Sequence, residues 1–388
     1  MKQTRTSKDT PYTGFEQGPI RPPSEAGSLL LRLTRNCPWN HCTFCPVYKG
    51  QSFSLRPVDH IITDIDTVSR HVNRLKDAMD GGMISRQRMT DLLNQTEENE
   101  MEAFHAAINW MQNGMTSIFL QDANSLIMKP EDLITVLEKI SACFPWAQRI
   151  TSYARSHTIA RISDDHLSKM RKAGLSRIHI GMESASDTVL ERIKKGSTKA
   201  MHITAGIKVK QADMELSEYV IPGLGGVELS REHALETADA LNQINPDFIR
   251  LRTLAIPGHV PLYDDWRQGR FTKASDVKVA EELLLFLETL DGITSMVKSD
   301  HVLNLFQDLE GRYPDDKDRM TAMVRDFLAL PPRERMMVQV GRRMGLIRTA
   351  ADVNDPEKIK RIDSLCTSHG ITPETVDQMI DDLMRQFI

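Results

Sequence analysis

The chain has 388 residues, long enough for one large domain and a smaller one beside it. Apolar residues make up 40% and charged residues 26%, the ordinary balance of a soluble globular protein. A formal net charge of -4 argues against general polyanion binding and leaves only a local basic groove open. Residues 1–27 are polar, rich in Pro, Gly, Ser and Thr, and hold no apolar core of a signal peptide. No apolar run reaches the roughly 18–20 residues of a membrane-spanning helix, so no membrane partner is expected. The five cysteines are an odd number, three of them packed into nine residues, which points away from a disulfide framework and towards a reducing cytoplasm.

From 28 to 256 short apolar strands alternate with amphipathic helices. Strands are predicted at 29–33, 117–121, 150–154, 177–182, 216–221 and 248–255. Pro130 opens a helix running to about 144, where its missing N–H is harmless. Ser163 caps the next, which stops near Gly174; another runs over 187–195 and ends at Gly196; Ser230 caps a helix to 244. Strands separated by helices imply parallel pairing and an α/β fold, as a complete barrel, a partial barrel or an open sheet. In the barrel forms ligands collect at the C-terminal ends of strands, which Cys37, Asp122, Arg155 and Glu183 all follow closely. The connection from about 50 to 115 is unusually long and reads as two helices, 59–79 and 98–112, around the polar sequence at Gly81 and Gly82. Beyond 272 the alternation disappears and helical patterns follow at 274–291, 318–328, 332–344, 356–366 and 373–387. The expected organisation is a polar segment (1–27), a barrel-type domain (28–271) and a helical C-terminal domain (272–388).

Cys37, Cys42 and Cys45 form a C-x4-C-x2-C run just after the first strand, stiffened by Pro38 and Pro46, with Phe44 beside the last cysteine. Three thiolates without a close fourth suit a 4Fe–4S cluster with one iron left open, as a catalytic zinc keeps an open position. A plant-type ferredoxin site shares the spacing but needs a fourth cysteine, and the next, Cys143, falls in a predicted helix. Zinc held with His41 or His60 is a further reading, without a visible second half-site. Cys143 and Cys366 read as buried structural thiols.

With these residues in place, the sequence resembles a radical S-adenosylmethionine (radical SAM) enzyme over about 25–270. The usual family motif is C-x3-C-x2-C with an aromatic before the last cysteine; Phe44 keeps the aromatic, and the first gap here is one residue longer. The resemblance implies a partial (β/α)6 TIM-type barrel. It also implies a 4Fe–4S cluster on Cys37, Cys42 and Cys45, and S-adenosylmethionine chelating the open iron. In such enzymes one-electron reduction breaks the C5′–S bond, and the 5′-deoxyadenosyl radical abstracts hydrogen from substrate.

Other positions follow from the resemblance. Asp122-Ala123-Asn124 stands where the family has Gly-Gly-Glu, and Asp122 or Asn124 would accept from the methionine ammonium. Ser152, Tyr153 and Arg155 fall where ribose or methionyl carboxylate is touched. The run from Arg177 through Gly181, Glu183 and Ser184 to Asp187 is similar to the Gly-x-Glu-Ser segment of the methylthiotransferase and oxygen-independent coproporphyrinogen oxidase subgroup, which puts Glu183 towards the cofactor. Gly223 and Gly225 belong to a turn expected against the adenine. Arg252 completes the cofactor-side set, as a partner for an anionic substrate group or for Asp247. His301 is a candidate rim residue, with a core or surface histidine as its plainer reading.

The expected function is therefore hydrogen abstraction from an unidentified small organic substrate, with a flavodoxin or ferredoxin as reductant. No acid–base catalytic residue is assigned. An iron–sulfur or haem carrier that keeps the fold without radical chemistry is the alternative, motivated by the altered Gly-Gly-Glu position. Nucleic acid is not an expected partner, since 320–388 mixes Arg with many acids and shows no RNA-binding module.

Overall fold

The computed structural model describes residues 11–384. Its packing divides the chain into two compact units. One takes the residues up to 40, 50–180 and 208–215; the other takes 41–49, 181–207 and the chain from 216 onward.

In the first unit, β1 (Leu29–Arg32) is followed by β2 (Thr34–Arg35), which pairs antiparallel with β3 (Ser54–Leu55) across the cysteine loop. Three helices, α1 (Val58–Asp77), α2 (Arg86–Asn94) and α3 (Met101–Gln112), fill the long connection to β4 (Ser117–Gln121). Then come α4 (Pro130–Cys143), β5 (Arg149–Ala154), the short α5 (Ser156–Ile159), α6 (Asp164–Lys172) and β6 (Leu175–Glu183), whose last three residues belong to the second unit. β1 pairs with β4, β4 with β5 and β5 with β6, all parallel. All five residues of β4 are buried, as a parallel strand covered on both faces requires. Helix α1 buries Ile61, Ile65, Val68, Val72 and Leu75, spaced four and three apart along one face, and packs on α3 and α4. Trp110 of α3 is fully buried, with its indole N–H donating to the Ser117 carbonyl at 2.7 Å.

The second unit holds α7 (Asp187–Arg192), most of α8 (Lys199–Gln211), β7 (Glu215–Val220), α9 (Ser230–Ile244), β8 (Phe248–Leu251), α10 (Pro261–Arg267) and α11 (Asp276–Thr289). They are followed by β9 (Met296–Lys298), β10 (Glu310–Arg312), α12 (Lys317–Ala329), α13 (Pro332–Arg343), α14 (Pro356–Ser368) and α15 (Val376–Met384). β8 pairs parallel with β7 on one side and β9 on the other, and β10 runs antiparallel to β9. Ser163, Ser186 and Ser275 each accept a backbone N–H at a helix start, satisfying donors the helix cannot.

The fold class is α/β with parallel strands, as the alternation implies. Some local expectations need correction. Helix α2 was not foreseen: it buries no residue, so it carries no apolar stripe to read. The expected helical C-terminal domain also contains the short strands β9 and β10, with 299–304 as irregular chain between them. Ser230 lies inside α9 and Leu229 precedes it without a side-chain cap. Cys143 is half-buried at the end of α4, near Asp66 at 3.9 Å, while Cys366 is buried as expected. Among the described residues, no helix is long and apolar enough to cross a membrane.

Candidate active site

In the first unit the cysteine loop begins with a pair of asparagines. Asn36 (φ 66°) and Asn40 (φ 48°) take the left-handed conformation, which asparagine tolerates better than most residues. The Asn36 amide donates to the Ser52 carbonyl at 2.6 Å and the Asn40 amide to the Gln51 carbonyl at 3.3 Å. These bonds tie the outgoing limb of the loop to its return limb. Between them the Asn40 backbone N–H donates to Cys37 Sγ at 3.4 Å.

Asp122, at the end of β4, is fully buried and committed to Arg32 of β1: Arg32 Nε donates to Oδ2 at 2.8 Å and Nη2 stands 2.7 Å from the same oxygen. The preceding Gln121 clamps the N-terminal segment, accepting from the Gly18 N–H at 2.8 Å and donating to the carbonyls of Gly18 and Ile20. A Cβ at Gly18 would stand 2.4 Å from Asp122 Oδ1, so only glycine fits that approach. Glu16 adds ion pairs at 2.9 Å to Arg35 and to Arg56, the latter also bound to Asp64 at 2.6 Å. The segment that reads as polar in the sequence is, from residue 11, a strap over the ends of β1 and β4, and it covers the carboxylate proposed for ammonium binding.

Asn124 is also fully buried, and both ends of its amide are engaged. Its oxygen accepts the Arg155 backbone N–H at 3.1 Å and its nitrogen donates to Thr158 Oγ1 at 2.9 Å. Asn124 thus fastens the turn after β5 that carries Arg155. The Arg155 guanidinium lies 4.9 Å from the centre of the Trp39 ring, a cation–π contact against the cysteine loop. Tyr153 packs edge-on against Phe119 at 5.1 Å and lies beside buried His179. Ser152 is buried, with its hydroxyl 3.1 Å from the Tyr153 carbonyl.

In the second unit, the segment carrying Cys42 and Cys45 is held by backbone on two sides. Thr43 N–H donates to the Ile193 carbonyl at 2.9 Å, and Leu262 N–H donates to the Thr43 carbonyl at 3.0 Å. Lys49 Nζ donates to the Cys42 carbonyl at 2.7 Å. Phe44 packs against a buried apolar set including Val189, Ile193, Leu224, Ile256 and Phe271.

Glu183, at the end of β6, adopts φ 65°, and its carboxylate meets Lys195 Nζ at 3.2 Å. Glu218 on β7 is fully buried, and among the described residues neither carboxyl oxygen has a hydrogen-bond partner. Burial foremost, and then the negative charge of Glu183, push its carboxyl well above the usual range, against the pull of Lys195. Sequence reasoning missed both Lys195 and Glu218; the available signal was an acid in the middle of a strand whose other residues from 216 to 220 are apolar or small.

Gly223 (φ 86°) and Gly225 are buried, but the space a Cβ would need is filled by protein. At Gly223 it would meet Val279 at 3.1 Å, and at Gly225 the Leu229 carbonyl at 2.9 Å. The Gly223 N–H donates to Glu282 at 2.7 Å, which pins the turn to α11. Arg252 follows β8, with its guanidinium 4.6 Å from the centre of the Tyr219 ring.

Cys37 falls in the first unit and Cys42 and Cys45 in the second. All three stand outside any disulfide and are half-exposed. Among the described residues no three His, Cys, Asp or Glu side chains converge closely enough to cage a metal ion. The donor set itself, three cysteines within nine residues, suits iron–sulfur ligation, where the protein supplies thiolates and the cluster its own sulfide.

Comparison with known proteins matches the Radical SAM superfamily model to residues 31–238. The chain is 22% identical over 143 residues to the tRNA uridine(34) acetyltransferase of Methanocaldococcus infernus, covering 34% of this chain and 27% of that protein. Against its counterpart from Methanocaldococcus jannaschii it is 22% identical over 109 residues, covering 28% and 20%. The chain thus matches about a quarter of these relatives' length. Among solved structures, Escherichia coli coproporphyrinogen III oxidase aligns with a TM-score of 0.39 at 11% identity, covering 88% of this chain and 80% of that one. Methylornithine synthase aligns with a TM-score of 0.41 at 13% identity, covering 69% and 63%.

Proposed function

This chain belongs to the radical SAM superfamily, and on that premise we propose that it cleaves S-adenosylmethionine reductively at a cluster held by Cys37, Cys42 and Cys45, and abstracts hydrogen from a small organic substrate. Radical SAM enzymes use a 4Fe–4S cluster and S-adenosylmethionine, and this is such an enzyme. When bound and reduced by one electron, these cofactors supply the 5′-deoxyadenosyl radical that attacks the substrate C–H bond. The observation that carries the proposal is the C-x4-C-x2-C loop directly after the first strand, with all three cysteines half-exposed and outside any disulfide.

The chain's own residues position and shield. The bonds of Thr43 to Ile193 and Leu262 fix the Cys42–Cys45 segment, and Phe44 seals one side of it with apolar contacts. Asn36 and Asn40 set the turn that carries Cys37. Arg155, held in place by Asn124, offers a cation for the cofactor's methionyl carboxylate, while Ser152 and Tyr153 lie on β5 just before it. Glu183, steadied by Lys195, offers a carboxylate acceptor for cofactor hydroxyls. Asp122 joins the set only through Arg32 and the strap. The Gly223 and Gly225 turn would present backbone atoms, not open space, to a ligand.

The electron donor proposed is a flavodoxin or ferredoxin. The tRNA in the relatives' name does not carry over, because the shared stretch is about a quarter of their length and this chain has a net charge of -4. The test is electron paramagnetic resonance of the anaerobically reconstituted, reduced protein with and without S-adenosylmethionine. A cluster spectrum that changes when S-adenosylmethionine is added supports an open iron chelated by the cofactor. A cluster spectrum indifferent to it would refute that arrangement.

A further inference from the structure

Arg252 is a half-buried cation with no ion pair: among the described residues no carboxylate contacts its guanidinium, and its neighbour is the Tyr219 ring. It does not pair with Asp247, which instead accepts the Leu216 N–H at 2.8 Å. Nearby Asp300 is committed to Arg250, at 3.0 Å. An unneutralised guanidinium held flat on an aromatic face keeps its five-donor fork available.

The surroundings are built to hold this arrangement. Asn304 is buried and fastens the loop after β9 to the end of β8, accepting from the Thr253 N–H at 2.8 Å and donating to the Leu251 carbonyl and to Ser299 at 2.9 Å. That loop carries His301. Burial first, and then the charge of Arg252, hold the His301 ring down to about 4, so it is neutral near pH 7. Its Nδ1 accepts the Leu303 N–H at 3.3 Å, which leaves the proton on Nε2 as a donor. Tyr219, Arg252 and His301 come from the C-terminal ends of the three neighbouring parallel strands β7, β8 and β9, the side where α/β folds gather their ligands.

We infer that Arg252, with His301 beside it and Tyr219 beneath it, is a binding site for a carboxylate group of the substrate. One uncompensated guanidinium matches one negative charge and pairs with a carboxylate through two parallel hydrogen bonds; a phosphate monoester, near two charges, would require more cations than this. That the carboxylate belongs to a substrate rests on the radical-enzyme reading above.

The test is a nuclear magnetic resonance titration of the anaerobic, oxidised holoenzyme, following the His301 ring, with sodium benzoate, sodium succinate and sodium phosphate. The expected result is that the carboxylates bind and raise the His301 pKa, since they neutralise the charge holding it down. Arg252→Gln should weaken that binding about tenfold to a hundredfold, the worth of charge-assisted hydrogen bonds. Arg252→Lys, which keeps the charge but not the fork, should fall between the two. In unliganded Arg252→Gln protein the His301 pKa should itself rise, which also reports that the loop is folded. Equal binding by the Gln variant, tighter binding of phosphate than of either carboxylate, no carboxylate binding at all, or displacement of the probes by S-adenosylmethionine would each overturn the inference. Binding is read without turnover, so failure of the radical chemistry is recorded separately, by the absence of 5′-deoxyadenosine.

Discussion

Glu183 and Lys195 meet at 3.2 Å where β6 ends, with Glu183 in a left-handed backbone conformation that folds its carboxylate back over Gly181. A Cβ at Gly181 would stand 2.4 Å from Glu183 Oε1 and 3.3 Å from Lys195 Nζ. The backbone of Gly181 does not have a positive φ, so alanine is tolerated there by the main chain and the carboxylate moves instead. Gly181→Ala should therefore fold, lose the ion pair and lower S-adenosylmethionine affinity by about the same factor as Glu183→Gln. Equilibrium binding of S-adenosylmethionine to the reconstituted variants checks this, and wild-type affinity in both would remove Glu183 from the cofactor site.

Asn124→Ala deletes both hydrogen bonds of a buried amide and strands the Arg155 N–H. The expected loss is about 2 kcal/mol in urea unfolding. Asn124→Asp keeps the acceptor for Arg155 and should retain more of the cofactor affinity than the Ala variant. The same affinity in both variants would mean that the turn does not depend on this bond.

Glu218 makes stability depend on pH. Its folded carboxyl titrates above the unfolded one, so between the two pKa values the folded state holds a proton that the unfolded state has released. The folded state is disfavoured more as pH rises from the ordinary carboxylate range towards the folded pKa. Glu218→Gln removes that dependence. Its gain in urea midpoint over wild type should grow as pH rises above the ordinary carboxylate range. A difference that stays constant as pH rises above that range would show that the carboxyl titrates normally.

Much of the scaffold is legible in the sequence because its strands are apolar and its helices carry one buried stripe. Ile61, Ile65 and Val68 announce α1, and the five buried residues of β4 announce a central strand. The three-residue β9 and β10 are too short to show alternation, and α2 has no buried face to show a period. The cysteine loop is legible for a different reason: local spacing carries its chemistry. The partners of the other candidates are not local. Asp122 meets Arg32, Glu183 meets Lys195 and Arg252 meets Tyr219 through folding, and no pattern in the chain reports such pairs. The strap at 11–22 was invisible for the same reason, since its anchors are the Gln121 amide and the ion pairs of Glu16.

The most direct measurement of the central claim is 5′-deoxyadenosine formed from S-adenosylmethionine by the anaerobically reconstituted, dithionite-reduced protein and its cysteine variants. Wild type and Cys143→Ala are predicted to release it, and Cys37→Ala, Cys42→Ala and Cys45→Ala to release none. Product from the Cys42→Ala protein at the wild-type rate would contradict the assignment of this loop as the seat of the radical chemistry.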